Sequence, residues 1–202
     1  DEADTPVGLI QSAMGGTNAH CWTPASTLQG SAGINTRRFW DRTSEGFPAA
    51  KERYDAALAE WEAARQESQE AGERFKGKQP KEPIGPGHIK TPSHLYNAMI
   101  HPLAPYAIRG AIWYQGEANS RAPFARSYGN LLGAMADAWR ARWQEAAGQQ
   151  GGGARARRAG AARPAFDFYA VQLPGFGRSS SGAWQLVREG VATMSEGPGN
   201  GM

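Results

Sequence analysis

The sequence predicts an α/β fold, in which a parallel sheet carries helices on both of its faces. Three apolar segments, near residues 7, 110 and 168, have the composition of short buried strands. Amphipathic segments typical of helices separate them, and strands that alternate with helices usually pair in parallel. At 202 residues, the chain has the length of one domain with its own hydrophobic core.

The composition narrows the class of protein. A net charge of +3, with many arginines in one local run, argues against a nucleic-acid-binding protein, which needs a basic face. The single cysteine, Cys21, excludes an internal disulfide and a multi-cysteine zinc site, and we expect a small buried thiol there. No apolar run is long enough to span a bilayer, and the acidic start at residues 1–4 has no signal-peptide pattern.

The first predicted strand runs from Pro6 to Gln11 and leads into a turn at Ser12–Thr17. Paired glycines in that turn, Gly15 and Gly16, let the backbone bend sharply and leave amide N–H groups free. Such groups can hold an anion or a developing oxyanion, although a tight turn without a ligand explains the glycines equally well. A short helix is expected from Asn18.

The next segments predict a loop, a helix and a linker. Residues 23–46 have no clear period and predict a loop. Residues 48–73 predict a peripheral helix, because its apolar residues recur at spacings of four and three between charged ones. Those apolar residues are Tyr54, Leu58 and Trp61. Residues 76–92 are rich in proline and predict an extended linker, so that residues 47–92 together form an insertion.

After a short helical or turn segment at residues 95–103, the central predicted strand is Ala111–Tyr114, followed by the polar residues Gln115–Asn119. Ligands of α/β folds bind beyond the carboxyl ends of the strands. The polar end of this strand is therefore a candidate edge of an active site. An ordinary polar turn remains the alternative.

The last third of the chain predicts a helix at residues 123–143, a strand at 166–173 and a helix at 183–195. Between the first two, the Gly, Ala and Arg run within residues 147–164 predicts a surface insertion. A nucleic-acid-binding arm is the alternative for this run.

Several of these segments resemble conserved blocks of the sialate O-acetylesterases, which are serine esterases of the SGNH type. Residues 6–12, with Gly15–Thr17 and Trp22, resemble the second block, and residues 113–119 (Trp-Tyr-Gln-Gly-Glu-Ala-Asn) with 108–110 resemble the third. Residues 95–103, 168–173, 188–189 and 200–202 are similar to other family segments. The resemblance implies a three-layer α/β/α, flavodoxin-like fold, here incomplete.

The family's chemistry requires a serine nucleophile and a histidine base, usually oriented by an aspartate. The serine lies in a Gly-Gln-Ser-Asn motif and the histidine in an Asp-x-x-His motif, and neither motif occurs here. We therefore expect an internal fragment of an esterase, or a truncated form of one. Ser12, in Gln11-Ser12, is only a minor alternative for the nucleophile. The four histidines are expected at the surface or in loops, with His101 the best candidate for burial; the others are His20, His88 and His94.

The resemblance assigns the oxyanion side of the site to the Gly16 N–H and to a side-chain amide, either Gln115 or Asn119. Substrate contacts are implied for Gly15, Thr17 and Glu117, the last holding the loop or a sugar hydroxyl. The implied substrate is an acetylated sugar. The resemblance implies no metal, no cofactor, and no nucleic-acid or membrane partner. It places the protein in the periplasm or outside the cell.

Two further functions compete with the esterase: a non-catalytic carbohydrate-binding remnant, and an interaction protein that uses the long helix and the Gly/Arg run. The sugar, the acyl position and the oligomeric state are not indicated by the sequence.

Overall fold

The computed structural model describes residues 6–104, 106–121, 123–149, 166–175, 182–195 and 200–201. Its main elements, in chain order, are α1 (Ala25–Gln29), α2 (Ile34–Glu70), β1 (Gly110–Trp113), α3 (Tyr128–Gln149), β2 (Asp167–Ala170), α4 (Ala183–Ser195) and β3 (Asn200–Gly201). Single helical turns lie at Ala19–Trp22, Ser31–Gly33, Tyr96–Ile100, His101–Leu103, Glu117–Asn119 and Ala125–Ser127. None of the described helices is both long and apolar enough to cross a lipid bilayer.

The strands form one parallel sheet in the order β1-β2-β3. Gly110 pairs with Asp167 and Trp113 with Ala170, so the first two strands match along their whole length. The predicted parallel pairing of the segments near 110 and 168 is confirmed. The short third strand, which no sequence pattern predicted, pairs with β2 on its other side.

The prediction of a strand at Pro6–Gln11 is wrong for the described structure. The segment has neither strand nor helix geometry. Val7 and Leu9 are 76% and 91% exposed, so they gain none of the burial that would stabilise a core strand. An apolar sequence becomes a strand only where a neighbouring edge pairs with its backbone, and none of the described segments does so.

The predicted loop at residues 23–46 is also wrong, because α1 lies within it and α2 begins at Ile34 rather than near Pro48. Tertiary contacts stabilise this helical start: Thr36 is buried, and the Arg37 guanidinium donates to the carbonyls of Leu28 and Gly30. Pro48 lies inside α2 and removes one helical hydrogen bond, which the 37-residue helix tolerates.

The linker prediction agrees with the structure, since residues 73–85 have no helix or strand. This segment folds back along α2. The Trp61 indole donates to the Gly77 carbonyl at 3.1 Å and contacts the Phe75 ring edge-on. The Phe47 ring packs directly over Gly85, where no Cβ atom would fit.

One face of the sheet is covered by α3 and α4, which pack closely because Gly129 and Gly190 meet backbone to backbone. Edge-to-face aromatic rings connect this layer to the strands; they belong to Trp22, Trp113, Trp139 and Phe168. The opposite face is open in the described part of the chain: Ile112 is 79% exposed and Tyr169 45% exposed. The predicted buried strand at Ala111–Tyr114 is therefore buried on one face only.

The Gly/Arg run at residues 150–164 and the acidic start at residues 1–4 lie outside the described residues.

Candidate active site

Two segments that are about a hundred residues apart in the sequence meet at the carboxyl end of β1. One is the glycine turn with the helical turn Ala19–Trp22, and the other is Gln115–Asn119, which follows β1 directly. The Asn18 side chain donates to the Ala118 carbonyl at 2.8 Å, and the Ala19 N–H donates to Asn119 Oδ1 at 2.9 Å. The structure therefore brings together the two segments that carry the predicted site residues.

Gln115 connects the two segments through its side-chain amide. Its Nε2 donates to the Thr17 carbonyl at 3.1 Å and to Asn119 Oδ1 at 2.9 Å. Both amide hydrogens are thus engaged within the protein. Of the two side chains proposed as oxyanion donors from the sequence, Gln115 has no hydrogen left for a ligand in this arrangement.

Asn119 is fully buried, and its amide is only half satisfied. Oδ1 accepts two hydrogen bonds, from Ala19 N and Gln115 Nε2. Nδ2 has no acceptor in the described structure. A buried donor without a partner costs roughly 1–3 kcal/mol. A ligand oxygen at Nδ2 would remove this cost, so Asn119 is the better candidate for the side-chain donor.

Gly15 and Gly16 are exposed at the turn. Gly16 has φ +70°, which favours glycine, and none of the described residues accepts a hydrogen bond from its N–H. Thr17, in contrast, is buried: its Oγ1 donates to the Met14 carbonyl at 2.8 Å and accepts from the Trp22 indole at 2.9 Å. Thr17 therefore stabilises the turn, and both of these bonds engage its hydroxyl within the protein. Its role as a substrate contact stays a prediction.

The loop after β1 depends on Gly116, which is buried and has φ +152°. A Cβ atom there would lie 2.7 Å from Val187 Cγ1 and 2.9 Å from Leu173 Cδ1. The next residue, Glu117, points its side chain outward and is exposed, while its carbonyl accepts from Ser120 Oγ at 2.6 Å. Glu117 is therefore accessible to a polar ligand at the rim.

Tyr128, the first residue of α3, is fully buried beneath this loop. Its hydroxyl accepts from Trp113 Nε1 at 3.1 Å and lies 2.8 Å from the Gln115 carbonyl and 3.0 Å from Gln115 Oε1. Burial raises the pKa of Tyr128 well above its ordinary value, with the nearby Glu117 charge acting in the same direction. Sequence reasoning missed this role, because Tyr128 counted only as part of an apolar stripe; the hydroxyl within that stripe was the available signal.

Ser12 has no catalytic geometry in the described structure. Its Oγ donates to the Met99 carbonyl at 3.2 Å, and no described histidine is hydrogen-bonded to it. The arrangement fits the sequence-based preference for a turn residue over a nucleophile.

The prediction of a surface or loop position is wrong for His20, which is 1% exposed between the rings of Phe39 and Phe124. His101, named from the sequence as the best candidate for burial among the four histidines, is exposed. Burial lowers the pKa of His20 from 6.5 to about 4, against a smaller opposite effect of the Lys90 backbone. His20 is therefore a neutral core residue.

Cys21 is buried as predicted, and burial raises the pKa of its thiol to about 11. A thiol with so high a pKa is a poor nucleophile at neutral pH. Within the residues that the structure describes, no cluster of histidine, cysteine, aspartate or glutamate has the geometry to hold a metal ion.

Comparison with known proteins gave two curated relatives. The chain is 33% identical over 142 residues to the sialate O-acetylesterase of Rattus norvegicus, which covers 69% of this chain and 23% of the relative. It is 32% identical over 120 residues to the sialate O-acetylesterase of Mus musculus, covering 59% of this chain and 19% of the relative. The chain thus spans about a quarter or less of the length of these relatives.

Among solved structures, a carbohydrate acetylesterase from Xanthomonas citri is similar, with 31% sequence identity and a TM-score of 0.44. The match covers 56% of this chain and 23% of that structure. No family model matches the chain.

Proposed function

Because the chain belongs to the sialate O-acetylesterase family, we propose that it is part of an esterase that removes acetyl groups from sialic acid or related sugars. One observation carries the proposal: two distant segments bury Asn119, whose amide donor has no acceptor among the described residues, next to an exposed Gly-Gly turn. This is the arrangement that an acyl oxygen would complete.

We also propose that the residues belong to one domain of the three-layer SGNH type, with insertions near residues 47–92 and 147–164. The open face of the sheet supports this proposal. Ile112 and Tyr169 are apolar, exposed and paired across β1 and β2, as they would be if a second helical layer normally covered them.

In the proposed reaction, Asn119 Nδ2 and the Gly16 N–H bind the acyl oxygen. When a serine hydroxyl attacks the acetyl carbon, this oxygen becomes negatively charged. Two preformed donors stabilise that charge, and losing one donor typically lowers the rate by about a hundredfold or more. The Gly16 N–H lies on a positive-φ residue in an exposed turn, where an ester can approach the backbone closely.

The serine and histidine of this reaction are assigned outside the 202 residues. The histidine accepts the serine proton and returns it to the sugar oxygen as the acetyl group moves to the serine. Water then attacks the acetyl-enzyme, giving acetate and the free serine. Ser12 is not assigned this role, since its hydroxyl is bonded to the Met99 carbonyl.

Glu117 is proposed to bind a sugar hydroxyl at the rim. It is exposed beside the buried Asn119, and an ionised carboxylate accepts hydrogen bonds from hydroxyl groups. Gly15 is proposed to contact the substrate through its backbone, because it is exposed and a Cβ atom there would meet nothing within 4 Å.

The second candidate function is carbohydrate binding without hydrolysis. The observation in its favour is that no described histidine is bonded to Ser12, so the described residues hold no paired nucleophile and base. The binding side would then persist while the chemistry is absent.

The test combines turnover, labelling and binding in the purified chain. We expect O-acetylated sialic acid to shift the NMR signals of Asn119 and Gly16, and Asn119→Ala to weaken this binding, whereas the control Asn35→Ala does not. Because the serine and histidine are assigned outside the 202 residues, we expect the purified chain to bind the sugar without releasing acetate and without forming a fluorophosphonate adduct; an adduct at Ser12 would contradict that assignment. Joining the chain to family segments that carry the Gly-Gln-Ser-Asn and Asp-x-x-His motifs separates the two functions: acetate release then supports the esterase, and binding without release favours the second function. Neither binding nor release in the folded chain refutes both.

A further inference from the structure

The Tyr128 hydroxyl lies within hydrogen-bonding distance of three groups, one of Trp113 and two of Gln115. Trp113 Nε1 donates to it at 3.1 Å, and its own hydrogen faces the carbonyl and Oε1 of Gln115 at 2.8 and 3.0 Å. The residue is fully buried, and burial raises the pKa of the phenol, so the hydroxyl keeps its proton across the physiological range. It therefore remains a donor toward Gln115.

This donor selects one orientation of the Gln115 amide. With Oε1 toward Tyr128, Nε2 faces two acceptors, the Thr17 carbonyl and Asn119 Oδ1. Rotating the amide by half a turn would place Oε1 against those two oxygens and remove both hydrogen bonds. The hydroxyl, together with these two acceptors, thus favours the orientation in which Gln115 connects the glycine turn to Asn119.

The orientation of Asn119 follows from that of Gln115. Its Oδ1 accepts from Gln115 Nε2 and from the Ala19 N–H, so Nδ2 lies on the other side, without an acceptor among the described residues. Hydrogen bonds therefore run from Trp113 through Tyr128 and Gln115 to Asn119, and end in a buried donor that these residues leave unpaired.

We infer that Tyr128 is a positioning residue of the esterase site, an inference that rests on the proposed role of Asn119. The Tyr128 hydroxyl fixes the Gln115 amide, and Gln115 holds Asn119 so that Nδ2 meets the acyl oxygen. Tyr128 itself touches no substrate atom. It acts through Gln115 and links the site to the start of α3.

The test uses Tyr128→Phe, which removes only the hydroxyl, and Tyr106→Phe as a control, because the Tyr106 side chain is 62% exposed. In the 15N-labelled chain, we expect the Gln115 side-chain amide protons to exchange with water about threefold to tenfold faster in Tyr128→Phe. Acetate binding, followed at the Asn119 amide, should weaken by a similar factor. The control should change neither.

A merely structural role would lower the melting temperature and leave both of these signals unchanged. Unchanged exchange and unchanged acetate affinity in folded Tyr128→Phe would therefore overturn the inference. If that variant does not fold, the wild-type chain decides: a slowly exchanging Tyr128 hydroxyl proton with a nuclear Overhauser contact to Gln115 supports the inference, and its absence overturns it.

Failure of the proposed function is separable from failure of this inference. If Asn119→Ala binds acetate as the wild type does, the site assignment is wrong. The Gln115 exchange rate in Tyr128→Phe still reports whether the hydroxyl orients the amide. If the Gln115 amide exchanges faster in Tyr128→Phe but the chain binds no acetate, the hydroxyl orients the amide, and its role in an esterase site is contradicted.

Discussion

Gly116→Ala should destabilise the protein strongly, because Gly116 combines an unusual backbone angle with a crowded environment. A side chain at φ +152° costs about 1–3 kcal/mol in backbone strain. The new methyl group would also lie 2.7 Å from Val187 Cγ1 and 2.9 Å from Leu173 Cδ1, and such overpacking typically costs ~1–3 kcal/mol. The expected total is ~2–6 kcal/mol.

For a chain of this size, that loss lowers the melting temperature by roughly 4–24 °C. Thermal unfolding followed by circular dichroism measures it. Gly148→Ala is the matched control, since a Cβ atom there meets nothing within 4 Å and alanine is the better helix former. Adding Val187→Ala to Gly116→Ala should relieve part of the crowding, so that the double variant loses less than the sum of the two single changes. A melting temperature of Gly116→Ala equal to that of the wild type would refute this account of the loop.

Three further predictions follow from packing and burial. Gly129→Ala should lower the free energy of unfolding by ~1–3 kcal/mol, because its Cβ would lie 2.7 Å from the Gly190 carbonyl oxygen. The control Gly133→Ala should change it little, because the new Cβ would lie 3.9 Å from Met194 Cγ. Denaturant unfolding measures both. The folded pKa of His20, about 4, lies below its ordinary 6.5, so the unfolded chain binds more protons between these values. His20 should therefore contribute stability that is complete above pH 6.5 and falls by up to about 3 kcal/mol toward pH 4. In His20→Phe, the free energy of unfolding should lose this dependence on pH. Urea titrations that give the same pH dependence for the variant and the wild type would contradict the prediction. Cys21 should resist a thiol-specific reagent in the native state and react once unfolded; rapid native labelling would show that the thiol is accessible.

The sequence was most informative where local chemistry determines the structure. The Gly15-Gly16 turn and the polar residues after β1 were identified from residue types alone, and the structure places them side by side. Helix α4 was predicted with its observed limits, because its apolar residues follow one helical period.

Predictions failed where distant contacts decide. Residues 6–11 have a strand's composition, but a strand also needs a partner edge, which composition does not reveal. Residues 34–47 seemed irregular, yet Arg37 bonds to the end of α1 and stabilises a helix there. His20 is buried although a surface or loop position was expected, because a ring's burial depends on neighbours such as Phe39 and Phe124 that are remote in sequence.

The role of Tyr128 was hidden for a related reason. A tyrosine in an apolar helical stripe is consistent with simple core packing. Only the three-dimensional contacts show that its hydroxyl reaches both oxygens of Gln115. The choice between Gln115 and Asn119 as donor likewise required the hydrogen-bond geometry, since both side chains carry the same amide group.

The central claim is that Asn119 Nδ2 and the Gly16 N–H form a site for the acyl oxygen. The most direct measurement is an acetate titration of the 15N-labelled chain, with the Asn119 side-chain and Gly16 backbone signals followed together. The account predicts that both signals shift with one common dissociation constant, and that Asn119→Ala abolishes the shift at Gly16. If acetate moves neither signal in the folded chain, or if Gly16 responds equally without the Asn119 amide, the claim is contradicted.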